Sequence, residues 1–179
     1  AIQISVRNQQ ANFISHCWLP GDQLVIGTEA GELFMLESFE IRGYINPNKG
    51  DQEDLYPVLC LQATSRGFIM GTYHGEIKMF EKHDDLKERY ALEDSYIIPG
   101  DHGHIMEFAM GADESLVCGM DRHQLLSCSM SSLYNIKEGS TVFDYVFTPF
   151  HSGNNKGDSA ITGIDVALWK QIVVTCGKD

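Results

Sequence analysis

Basic residues are scarce in this chain. Lys and Arg number 13 against 25 Asp and Glu, so the formal net charge is −12 over 179 residues. That is the wrong sign for a protein that neutralises a phosphate backbone, and it argues against nucleic acid as a partner. It suits basic protein partners or solubility alone. Long hydrophobic runs are also missing. No stretch approaches the ~18 apolar residues of a membrane helix, and a membrane partner is not expected. The five cysteines, Cys17, Cys60, Cys118, Cys128 and Cys176, are odd in number and form no CxxC. Neither a disulfide framework nor a zinc site fits that spacing, so free thiols in a reducing intracellular compartment are the expectation. The opening "AIQISVRNQQ" has no basic or apolar segment of a signal peptide and no initiator Met, so a processed or internal start is expected. What remains is a core-forming composition, 43% hydrophobic and 10% aromatic.

The chain repeats itself. "LVIGTEAGELFML" (Leu24 to Leu36) returns as "FIMGTYHGEIKMF" (Phe68 to Phe80), sharing Gly27/Gly71, Thr28/Thr72, Gly31/Gly75, Glu32/Glu76 and Met35/Met79. Two weaker copies are in phase. "SLVCGMDRHQLLSCS" puts Gly119 in the position of the marker glycine, and "QIVVTCGKD" puts Gly177 there. The markers lie 44, 48 and 58 residues apart. The first two spacings match a propeller blade of roughly 40–50 residues, and the third calls for an insertion.

Every copy has the same internal order. A first strand is read at Phe13 to Leu19, Val58 to Ala63, Ile105 to Met110 and Ile161 to Leu168. A tight polar turn leads to a second strand ending on the marker glycine, and a short turn leads to a third, "ELFMLE", "EIKMFE" or "QLLSCS". Outer fourth strands are read at Ile41 to Ile45, Arg89 to Ile98 and Val142 to Phe147. Four strands at this period make a β-propeller blade, and stacked blades bury for one another the faces that a lone sheet leaves open. The expected fold is all-β: three to four four-stranded blades of an incomplete ring, at about 12–45, 57–98, 104–147 and 160–179, the last truncated. The residues preceding the marker glycines include Cys118 and Cys176, which this register places in the core.

The patterns that catalytic and metal sites require are not met. His102-Gly103-His104 offers two ligands and no third nearby, whereas zinc needs convergent donors. "NPNKGDQED" (Asn46 to Asp54) fails as a calcium loop because Pro57 stands where the bidentate Glu belongs. "SGNNKGDSA" has Gly and Lys but opens no helix, so it is not a phosphate loop. No GxSxG is present. A propeller enzyme with a channel site would draw on His16, Glu107 and Asp165 of the first strands, but three residues on three blades are not a constellation. No cofactor, metal or catalytic residue is expected.

The repeating unit resembles the WD-repeat family. Gly103-His104 matches the family's Gly-His pair, and Asp121 and Asp179 occupy its turn-aspartate position. Leu36-Glu37, Phe80-Glu81 and Cys128-Ser129 stand where the family has Trp-Asp, so its hydrogen-bonded tetrad is degenerate here. The resemblance implies that His104 bonds Asp121. Two phrases, "HCWLPGDQLVIGTEAGELFMLES" and "ITGIDVALWKQIVVTCGKD", are more specifically similar to the cilia- and flagella-associated WD-repeat proteins of the axoneme. That likeness implies a cytoskeletal, ciliary location and a non-catalytic scaffold with two propellers and a coiled-coil tail. It also implies axonemal partners: inner dynein arms, their regulatory complexes and doublet-microtubule neighbours. In that family a further strand follows the second phrase, so the chain is expected to be a fragment of the propeller region. A propeller adaptor in another intracellular complex is the alternative.

Loop lengths single out one rim. The connections from outer strand to next inner strand, Asn46 to Pro57, Pro99 to His104 and Thr148 to Ala160, are longer than the turns within blades. A rigid scaffold commonly uses such loops for binding. The expected partner-binding residues are Asp51, Glu53, Asp54, Tyr56, His102, Phe150 and His151.

Overall fold

Strands alternating with short polar turns arrange the chain as a series of antiparallel meanders. A computed structural model describes residues 5–6, 9–48, 55–84, 89–137, 140–147, 151, 160–170 and 172–178. Two short strands, β1 (Ser5–Val6) and β2 (Gln9–Gln10), pair as a hairpin ahead of the first sheet. That sheet has β3 (Phe13–Leu19), β4 (Gln23–Thr28), β5 (Leu33–Glu37) and β6 (Glu40–Ile45) in sequence order. The second contains β7 (Cys60–Ala63), β8 (Gly67–Gly71), β9 (Glu76–Lys82) and β10 (Tyr90–Ile97). The third contains β11 (Ile105–Met110), β12 (Ser115–Met120), β13 (Leu125–Ser129) and β14 (Asp144–Phe147). β15 (Ile161–Val166) and β16 (Val173–Gly177) form a two-stranded sheet. The architecture is all-β and built of propeller blades.

The chain divides into two compact units. One comprises Ala1–Met70 and Lys78–Ser95, the other Gly71–Ile77 and Tyr96–Asp179. In the first, Val25, Leu33 and Met35 meet Val58, Phe68, Met70 and Phe80 in one apolar cluster. Phe68 and Phe80 stack with centroids 4.6 Å apart, both essentially out of solvent. Burying such a side chain contributes about 1.5–3 kcal/mol, so this pair alone outweighs most surface contacts. In the second unit, Val117, Leu125 and Ile161 form a cluster joined by Ile164, Val166 and Val173.

The marker glycines have a steric cause visible inside each unit. A Cβ on Gly27 would overlap the side chain of Val58, and one on Gly119 would lie 2.6 Å from Ile164 Cδ1. The glycine is therefore where one sheet's second strand admits a side chain from the first strand region of the next. Opposite the marker the first strand is bulged. The register shifts between Phe13 and Ser15, between Ile105 and Glu107, and between Ile161 and Gly163. An extra residue at the same place in three strands is a repeated device that re-aims the chain.

One element has no counterpart in the sequence reading and one expectation needs correction. The stretch after β13 forms a short helix, α1 (Met130–Tyr134). Ser129 Oγ accepts from the Ser132 N–H at 3.1 Å, capping the helix, and Met130 and Leu133 bury its inner side at i, i+3 spacing. Cys118 is fully buried as expected, but Cys176 is exposed. It lies on β16, which among the described residues pairs with β15 alone, and no further sheet there covers its side chain.

Candidate interaction surface

In the first two sheets, the turn after the second strand is organised by the threonine that follows the marker glycine, Thr28 and Thr72. Thr28 N–H donates to Glu32 O at 3.0 Å, and Thr28 Oγ1 accepts from Glu32 N–H at 3.0 Å. The Thr28 carbonyl accepts the Val58 N–H at 3.1 Å, so the turn receives the start of the next sheet's first segment. Gly31, with φ +84°, leaves room for the chain at Leu55 and Tyr56: a Cβ there would sit 2.7 Å from the Tyr56 carbonyl oxygen. The outcome is a short segment seated on the turn, presenting Leu55 and Tyr56 with each 39% exposed.

The other end of the same connection is held from below by a buried cation. Lys78, on β9, is only 6% exposed. Its ammonium donates to Asn48 Oδ1 at 2.6 Å and to the Pro47 carbonyl at 3.1 Å. Asn46 Oδ1 accepts from the Asn48 N–H at 3.0 Å, folding this end into a local side-chain turn. A buried ammonium is tolerated only when oxygen acceptors replace its water, and the loop root supplies them.

The second unit repeats the scheme with different side chains. Thr72 N–H donates to Glu76 O at 3.0 Å, and the Thr72 carbonyl accepts from the Ile105 N–H at 3.3 Å. Between them, the 3-10 turn Tyr73–Gly75 puts His74 at φ 62° and makes a cluster with His104. The His74 N–H donates to His104 Nδ1 at 3.3 Å, and the Tyr73 and His104 rings lie 4.3 Å apart. A backbone N–H can only donate, so Nδ1 bears the lone pair and Nε2 carries the proton. The expected His104–Asp121 link is made mainly through backbone. His104 N–H donates to Asp121 Oδ1 at 2.9 Å and Asp121 N–H to the His104 carbonyl at 3.0 Å, while Nε2 stands 3.9 Å from Oδ2.

The expected partner-binding residues fall differently. Asp51, Glu53, Asp54 and Phe150 lie outside the described residues. Tyr56 is half-exposed on its turn. His102 is buried, with Nε2 donating to the Pro99 carbonyl at 2.8 Å and Nδ1 2.7 Å from the Gln124 side-chain oxygen position. It is a strut inside the connection and offers no exposed ring. His151 is half-buried, with Nε2 3.0 Å from Thr175 Oγ1. His16 is exposed on β3, Glu107 Oε1 accepts from the adjacent Phe108 N–H, and Asp165 Oδ1 accepts from the Val166 N–H. Among the described residues no three His, Cys, Asp or Glu side chains come together as a metal site.

The positions that replace Trp-Asp have taken new partners, which the sequence reading missed. Glu37 accepts from Arg89 Nη1 at 3.1 Å and from Gln23 Nε2 at 3.4 Å, and Gln23 Oε1 in turn accepts from the buried Tyr90 hydroxyl at 3.1 Å. The Gln23 bond first, and then Arg89, hold the Glu37 carboxyl below its ordinary value. Burial pushes Tyr90 up. Glu81 accepts from Arg66 at 3.1 Å, and Ser129 caps α1. Acidic residues at the ends of third strands, with arginines just ahead of β8 and β10, were the available signal.

No family model matches the chain. It is 30% identical over 172 residues to cilia- and flagella-associated protein 57 A of Tetrahymena thermophila, covering 94% of this chain and 13% of that protein. It is 23% identical over 224 residues to cilia- and flagella-associated protein 57 of Mus musculus, covering 97% of this chain and 17% of that one. The chain thus spans a minor part of the curated relatives it matches. In structure it resembles the β-propeller domain of Cps50 (Swd1) from Myceliophteria thermophila. The TM-score is 0.63 at 15% identity, over 93% of this chain and 50% of that one. That likeness shows the fold alone. In sequence the chain is similar to cilia- and flagella-associated proteins, and in fold it is a β-propeller.

Proposed function

We propose that this chain is a non-catalytic protein–protein interaction scaffold of the ciliary or flagellar axoneme. In this reading it helps position inner dynein arms and their regulatory complexes on doublet microtubules. The observation that carries the proposal is the 30% identity over 94% of the chain to a cilia- and flagella-associated protein. The connections between sheets serve as the binding elements. Leu55 and Tyr56, seated on the Thr28–Gly31 turn, form one presenting segment, with Asp51, Glu53 and Asp54 preceding it in sequence and Phe150 and His151 in the sequence of a second connection. Tubulin is itself acidic, and a chain of net charge −12 does not coat it through general electrostatics, so contact runs through neighbouring proteins or local complementarity.

The test is to tag the full-length protein in a ciliated cell, locate it, and extract demembranated axonemes with increasing salt. Wild type stays in the axoneme. Replacing 49–54 with a short Gly-Ser linker keeps the far-UV spectrum and thermal unfolding but releases the protein at lower salt. Equal retention of the two would remove the connection from the binding surface, and a protein absent from cilia would sink the whole reading.

A further inference from the structure

The turn between β5 and β6 consists of two residues, Ser38 and Phe39, because Glu37 pairs with Glu40. Both are left-handed, with φ of 52° and 64°. Turns of this kind favour Asn-Gly or Asp-Gly, since a positive φ crowds Cβ against the following carbonyl. Here the second position bears a phenyl ring that is 81% exposed. It neither relaxes the turn nor contributes burial. A strained backbone that displays an aromatic ring without packing it points to a role outside the fold.

The surroundings define what the ring meets. Ile41, 44% exposed, extends the apolar surface along the first residues of β6. The Glu40 side chain is 70% exposed, its carboxylate 3.2 Å from Arg42 Nη2. Strand addition along β6 is disfavoured, because its register shifts between Met35 and Leu36 on the partner strand and Arg42 stands on its exposed edge. The feature is therefore a convex tip: one ring, one aliphatic neighbour and an exposed carboxylate that shares its charge with Arg42.

We infer that Phe39 and Ile41 are an anchor that inserts into an apolar pocket on a partner protein, with a Lys or Arg on the pocket rim facing Glu40. A buried aromatic anchor supplies most of the affinity in such contacts, and a cationic rim complements both Glu40 and the net charge of −12. This goes beyond the axonemal reading and does not depend on it.

The experiment places a photo-crosslinking amino acid at position 39 of the full-length protein in its native cell, with position 114, an exposed turn residue, as control. The expected result is a product specific to position 39 whose mapped peptide is apolar and lies beside a Lys or Arg. Glu40→Lys should reduce its yield at least fivefold. A product within the same chain, a mapped peptide that is polar or acidic, or no product above the position-114 control overturns the anchor. A second arm measures the thermal unfolding of purified protein carrying Ser38→Asn with Phe39→Gly. Relief of the left-handed strain should raise Tm by about 2 °C. A lower Tm would make Phe39 a fold contact and overturn the inference. A specific crosslink from a protein found outside cilia keeps the anchor and removes the axonemal reading.

Discussion

Glu37 and Arg89, 52 residues apart in sequence, are joined by a hydrogen bond of 3.1 Å that links the third strand of the first sheet to the start of β10. Gln23 and Tyr90 extend the link inward, so a polar chain runs from the surface to a buried phenol. The side chain that stands where the WD family has aspartate still acts as a connector, but toward a different strand.

Glu37 gives the fold a pH dependence of defined sign. Its carboxyl is held below the ordinary value of 4.5, with the Gln23 bond the largest cause and Arg89 next. A depressed folded value means the contribution is present above the unfolded value and lost as pH falls through the folded one. Glu37→Gln should therefore lower Tm at pH 7 and flatten the change in Tm below about pH 4.5. A parallel acid profile in both proteins would show that Glu37 carries none of it.

Gly27 and Val58 should behave as a coupled pair. A Cβ on Gly27 meets the Val58 side chain, so Gly27→Ala is overpacked and should cost about 1–3 kcal/mol in urea unfolding. Val58→Ala alone leaves a cavity. In the double variant the new methyl occupies part of that space, and the loss should be smaller than the sum by about 1 kcal/mol. Simple additivity would mean the glycine is required for some other reason.

Lys78→Met keeps the aliphatic stem and removes the ammonium from the loop root. Pro47 and Asn48 then lose the donor that reaches them, at about 1–3 kcal/mol. Hydrogen exchange should speed up at Asn48, Leu55 and Tyr56 more than in β4 or β8. Uniform acceleration would place Lys78 in general stability alone.

The thiols should separate by reactivity. Burial pushes Cys17 and Cys128 up to about 12, while Cys176 is exposed on β16. Iodoacetamide at pH 8 followed by peptide mapping should modify Cys176 first and leave Cys17 and Cys128 intact in the folded protein. Early labelling of Cys17 would show that the first unit opens there.

The strands were legible because the repeat carried its own punctuation. Gly27, Gly71 and Gly119 lie within or end second strands, and Thr28 and Thr72 open the turns that follow. Contacts made by single side chains were not legible. Lys78 reads as one more exposed cation in an alternating strand, and only the position of Pro47 and Asn48 makes it buried. The turn at Ser38-Phe39 carries no glycine or asparagine, so its left-handed backbone left no trace in composition. His102 reads as a loop residue because it lies between Gly100 and Gly103, yet Pro99 and Gln124 hold it inside. α1 was hidden by three serines that look like a loop until Ser129 is seen to cap Ser132.

The Thr28 carbonyl receives the Val58 amide in one unit, and the Thr72 carbonyl receives the Ile105 amide in the other. These are bonds between main-chain atoms, so the phase of one sheet on the next is written in groups that every residue possesses. Side chains around such a junction are free to drift, provided the glycine beside it stays small. A lineage can then exchange nearly all of its surface, and even the tetrad that usually stiffens its blades, without losing step from one sheet to the next.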